Sequence, residues 1–255
     1  MSYEYLESFV APYRDISEVL GILLVGSSSR YYCDALSDYD FEVIVHDDYY
    51  ENLPQKERFI IYHHETINTE YLLIPKKDFL AKEYSSADID HWPYEECVVL
   101  HDPIGLLESK LPLVVAMSAE VRYDRLKLHY FEFLFFAKRI SKMLQRGDEL
   151  NARLVAHQSA WLAIKLVFIL RYRWPPVIHW ASQNLMQLEG IPGHLKSLLV
   201  ELLRQPNESA TDSLIREIDG LLAKEKFHYI ISKNTLAGEV AGFEFRPIRE
   251  KYGNL

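Results

Sequence analysis

The 255-residue sequence predicts an α+β fold in two parts, a mixed β-sheet domain with helices over residues 1–116 and an all-α bundle over residues 117–255. Three observations predict it. Short apolar runs with a period of two, separated by turn residues, fill the front of the chain. Long runs with helical spacing fill the rear, and the texture changes between residues 115 and 118. The length allows one large domain or two modest ones, each able to bury a core.

In the front part, residues 3–20 place Tyr3, Leu6, Val10, Ile16, Val19 and Leu20 on one helical face. "GILLVG" then reads as a short buried strand ended by glycine, followed by a short helix from Ser27. "DFEVIV" is a second strand with a period of two. "RFIIYHH" and "TEYLLIP" are two more, joined by a polar turn around Glu65 to Asn68. "ECVVLHDPIG" is the last and breaks at Asp102-Pro103.

The rear part opens with "EVRYDRLKLHYFEFLFFAKRISKMLQRG", a long amphipathic helix stopped by Gly147. A second helix starts after Asp148 as its cap and stops before Pro175-Pro176. "HLKSLLVELLRQ" and "ATDSLIREIDGLLAKEKF" supply two shorter helices, and "GFEFRPIREKYGNL" reads as a tail packed on the body. The five aromatics between Tyr130 and Phe136 read as core packing.

Hydrophobic content of 49% and charged content of 25% fit a globular protein, and the formal charge is −9. That balance argues against a general nucleic-acid binder held by a basic face. Cys33 and Cys97 form no metal-ligand cluster. They could bridge, but reduced thiols in a cytoplasmic protein are the expectation. The N-terminus lacks a basic start followed by an apolar run, and "AWLAIKLVFIL" is too short to span a bilayer and contains Lys165. No membrane association is expected.

The chemistry concentrates between Gly21 and Val45. Gly26 permits close backbone approach, Ser27 offers a hydroxyl and an amide, and a helix starting there would present N–H groups to a phosphate. Arg30 would add a cationic contact. Asp38 and Asp40 alternate along a strand and therefore share a face, where their charges repel. A divalent cation makes such a pair tolerable, and Mg²⁺ takes hard oxygen ligands between carboxylates and phosphates.

Gly26-Ser27 followed by Asp38-x-Asp40, framed by "ILLV" and "FEVIV", resembles the signature of the DNA polymerase β-like nucleotidyltransferase superfamily. The resemblance covers about residues 20–105, and the helical rear is similar to the accessory domain of antibiotic nucleotidyltransferases. It implies a metal-dependent transfer of a nucleoside monophosphate, expected to be AMP, from an NTP to a hydroxyl of a small molecule. The implied cofactor is Mg²⁺, as two ions.

The family's third carboxylate falls best on Glu70, as a metal ligand or as the base on the acceptor hydroxyl. Glu42 shares the parity of Asp38 and Asp40 but lies about 7 Å further along the strand. Asp102, before a proline, reads as structural.

For the acceptor, "SADIDHWPYEE" (residues 86–96) suits a polar rim. Lys165 is a candidate phosphate contact, and "RYRWPPVIHW" a candidate wall facing the cleft. His63 and His64 have opposite strand parity and are not read as metal ligands. The expected partners are an NTP and a small hydroxyl acceptor. Nucleotidylation of a protein or a tRNA end, or a catalytically idle nucleotide-binding relative, are the alternatives. A homodimer is not decided by the sequence.

Overall fold

The computed structural model describes residues 3–30, 32–64, 67–227 and 233–253. Helix α1 (Tyr3–Arg14) is shorter than the period suggests. Val19 and Leu20, expected on its inner face, instead open strand β1 (Val19–Val25), all seven of whose residues are buried. The apolar run "VLGILLV" is long enough to fill a central strand covered on both faces, and that burial outweighs continuation of the helix.

Strand β2 (Tyr39–Val45) is followed by α2 (Asp47–Asn52), β3 (Phe59–His64), β4 (Ile67–Pro75), α3 (Lys76–Ala81), β5 (Val98–His101) and α4 (Leu106–Val114). The sheet order is β3-β4-β2-β1-β5. β2 runs parallel to β4, and the other neighbours are antiparallel.

Alternation sorts the side chains of β2. Phe41, Val43 and Val45 pack with Ile22, Leu24 and Tyr71 beneath Leu6 and Val10 of α1. Ile44 packs with Leu23, Val25, Ile74 and Phe79 beneath Leu107 of α4. Asp40 and Glu42 have the parity of Ile44, so they belong to this second face. Gly21 lets α4 approach, because a Cβ there would lie 2.6 Å from Leu107 Cδ1.

The chain divides into two compact units, Met1–Ala116 and Met117–Leu255. In the second, Ser118 Oγ accepts from Val121 N at 3.1 Å and caps α5 (Ala119–Gln145). Gly147, at φ +71°, turns the chain, and Asp148 caps α6 (Glu149–Leu170) by accepting from Asn151 N. Arg122 donates to the Ile169 and Leu170 carbonyls, at 3.1 and 2.9 Å, so the start of α5 satisfies the end of α6.

Helices α7 (Ala181–Leu185), α8 (Leu195–Arg204), α9 (Glu208–Lys224), α10 (Lys233–Ala241) and α11 (Arg246–Tyr252) complete the unit. The expected tail is thus partly helical, with Tyr252 buried. Helix α6 corrects one expectation. Its 22 residues are long and apolar enough to cross a membrane by length and composition, although 56% of the apolar window is buried inside the protein.

Candidate active site on the first unit

The site forms where three strands come together. Val25 pairs with Asp40 across the antiparallel ladder, and Asp40 pairs with Glu70 across the parallel one. Gly26 ends β1 at φ +73°, and a Cβ there would lie 2.0 Å from Asp40 Oδ2. The Asp40 carboxylate therefore rests against the bare Cα of Gly26, which joins the glycine turn to the acidic strand.

Burial pushes the Asp40 carboxyl up from 3.8 to about 7, with further upward contributions from the charges of Asp38, Glu70 and Glu42. The charges of Asp38 and Glu70 thus both reach Asp40. The hard oxygen donors and unrelieved repulsion of the three carboxylates fit a divalent cation. Among the described residues, however, no three His, Cys, Asp or Glu side chains stand close enough to hold one ion as they are.

The turn departs from the expected helix start. Between Gly26 and Asp38 no helix forms among the described residues. The Gly26 carbonyl is taken by side chains, accepting from Ser29 Oγ at 3.0 Å and from Arg30 at 2.8 Å. Ser28 Oγ donates to the Asp38 carbonyl. Three consecutive serines offer the backbone local partners that compete with helical ones. Ser27 is only 3% exposed, which leaves its hydroxyl little access to a ligand in this conformation.

Arg30 is also placed otherwise than expected. Its side chain is 0% exposed, stacks 4.1 Å from the Trp92 ring centre, and donates to the Trp92 carbonyl at 2.8 Å. Its Nε lies 3.7 Å from Glu96. A guanidinium enclosed this way braces the turn and is not positioned as a phosphate contact.

Of the segment expected as an acceptor rim, residues 91–94 are packed inward, while Ala87 and Ile89 are exposed. Trp92, Pro93 and Tyr94 are buried, and the buried His91 ring lies between the Val114 and Ser85 carbonyls. Tyr94 donates to Glu42, which removes Glu42 from competition as a third metal ligand. Burial raises the Glu42 carboxyl, against the opposing pull of Lys82 and Tyr94. Lys82 pairs with Asp90 at 3.0 Å. Asp102 Oδ2 accepts from Glu108 N at 2.8 Å, the structural role expected of it. Cys33 and Cys97 are both free thiols, and burial pushes Cys97 up to about 11. The side chains of His63 and His64 and the turn residues Glu65 and Thr66 lie outside the described residues.

The remaining candidates belong to the second unit. Lys165 lies on α6 with Nζ 5.6 Å from the Trp161 ring centre, and its charge acts on His129. In the "RYRWPPVIHW" stretch Trp174, Pro175 and Pro176 are buried, while Tyr172, Ile178 and His179 are exposed. Arg171 pairs with Glu225 at 2.7 Å, and the buried Trp174 ring packs 5.1 Å from Arg125.

Sequence reasoning missed two contacts that shape the site, Arg30 with Trp92 and Glu42 with Tyr94, which are 62 and 52 residues apart. The parity of Glu42 was the only local signal for either.

A family model described as a domain of unknown function (DUF4037) matches residues 93–181, which is less than half of the chain and excludes Gly26, Asp38, Asp40 and Glu70. A nucleotidyltransferase-like protein from Exiguobacterium sibiricum is a similar solved structure, 15% identical, with a TM-score of 0.45 over 93% of this chain and 78% of that one. No curated protein matches the chain.

Proposed function

We propose that the chain is a metal-dependent nucleotidyltransferase that moves a nucleoside monophosphate, AMP by preference, from an NTP to the hydroxyl of a small molecule. One observation carries the reading: the Asp40 carboxylate lies on Gly26, under the repulsion of Asp38 and Glu70. Gly26 of the turn and Asp40 of the acidic strand, joined only by resemblance in the sequence, lie against each other.

Asp38, Asp40 and Glu70 would hold magnesium, which when bound would neutralise charge on the transferred phosphoryl group and on the leaving pyrophosphate. Asp40 must give up its proton to ligate, so binding releases protons below about pH 7. Glu70, level with Asp40 on the neighbouring strand, is the residue proposed to accept the proton of the attacking hydroxyl. Gly26 keeps the carboxylate close to the turn that would face the triphosphate.

A second reading, nucleotide binding without turnover, has its own support. The three carboxylates do not yet converge, and Ser27 and Arg30 are buried. One assay separates the two. The protein is incubated with labelled NTPs, Mg²⁺ and a panel of small hydroxyl acceptors, beside Asp38→Asn and Asp40→Asn. Pyrophosphate release lost by a factor of about 10²–10⁴ in both variants supports the enzyme. Release that survives both substitutions removes the site, and binding without release on any acceptor favours the second reading.

A further inference from the structure

The second unit holds a cavity of about 200 Å³ between α6, α7 and α8 that the proposed reaction does not use. Trp161 and Ile164 of α6, Leu185 of α7 and Leu199 of α8 form its apolar walls. Ile178, Val200 and Leu203 stand around it at 53%, 45% and 43% exposure, apolar surface that a bound molecule would remove from water. The polar part of the lining is limited and of one sign. Among the described residues that line it, His157 and Lys196 are the only ionisable side chains and none is a carboxylate. That is notable in a chain with a formal charge of −9.

We propose that this cavity binds a small amphipathic organic anion, its apolar tail against Trp161 and Leu199 and its head group beside Lys196 and His157. The apolar walls supply most of the attraction and are indifferent to charge. The acid-free rim discriminates, because a cationic head would meet Lys196 with no carboxylate in the lining to offset it.

The test is titration calorimetry of the full chain with octanoate, octanol and octylammonium. Octanoate should bind about fivefold more tightly than octanol and about tenfold more tightly than octylammonium. Lys196→Glu should remove the preference for octanoate while leaving octanol within about twofold. Val200→Trp and Ser182→Trp, both at exposed positions in the lining, should weaken all three probes, and circular dichroism will show whether each variant remains folded. Octanol or octylammonium binding as tightly as octanoate, octanoate binding unchanged by Lys196→Glu, or no octanoate binding at all would each overturn the proposal. A folded Val200→Trp that leaves octanoate binding intact would locate that binding elsewhere and overturn it equally.

Discussion

Gly26 and Asp40 act as one pair, although fourteen positions separate them in sequence. Gly26→Ala adds a methyl where Asp40 Oδ2 now sits, at a positive φ, so it should cost about 2–4 kcal/mol in urea unfolding. The cost should shrink in an Asp40→Ala background, because the blocking carboxylate is then gone. The φ strain alone would remain, and additive costs in the double-mutant cycle would show that the two residues do not touch. Mg²⁺ should raise the melting temperature of the wild type by a few degrees and leave Asp40→Asn unmoved. Equal shifts in both proteins would place the ion elsewhere.

At the scale of elements, the turn between β1 and β2 is held by a side chain whose bracing role the local sequence did not mark out. An arginine one turn after the glycine reads as a phosphate contact. Its enclosure depends on Trp92, which no spacing rule connects to it. Arg30→Lys keeps the charge but loses the planar fork, so it should destabilise the first unit by about 1–3 kcal/mol. Wild-type stability in that variant would reduce the stack to a bystander. Ser118→Ala, removing the cap of α5, should cost about 1 kcal/mol by the same measurement.

β2 was legible from its period-two alternation and β1 from an unbroken apolar run ended by glycine, and the long helices because their caps are local. Val19 and Leu20 were misassigned because an apolar pair at helical spacing also fits a strand buried on both faces. Helices α2, α3 and α4 were not anticipated. Of their N-terminal flanks, His46, Pro75 and Gly105, none makes a side-chain cap. Of the proposed site, the nearness of Asp38 and Glu70 to Asp40 could be read from parity and interrupted apolarity. The packing of Arg30, Ser27 and residues 91–94 could not, since it depends on residues distant in sequence.

On the scale of the whole molecule, the half-buried Asp40 and the buried His129 give the pH dependence of stability opposite slopes. The Asp40 carboxyl binds its proton more tightly folded than unfolded. Its contribution is therefore fully present below about pH 4 and declines to a penalty of at most about 4 kcal/mol above pH 7. Burial lowers the His129 imidazole, with Arg125 and Lys165 adding to the effect and Glu132 opposing it. Its contribution is present above pH 6.5 and is lost as the pH falls below that value. Without metal, Asp40→Asn should flatten the decline between pH 4 and 7, and His129→Gln the loss on the acid side. Unfolding curves at pH 5, 6 and 8 will read both, and parallel profiles in wild type and variants would refute the assignment.

The stack of Arg30 on Trp92 has a practical consequence. The same guanidinium grips the Gly26 carbonyl, so any molecule that reshapes the glycine turn must also disturb an indole. The protein thus carries a built-in optical probe of its own site, and a shift in tryptophan emission on adding nucleotide, absent in Trp92→Phe, would report occupancy without a label.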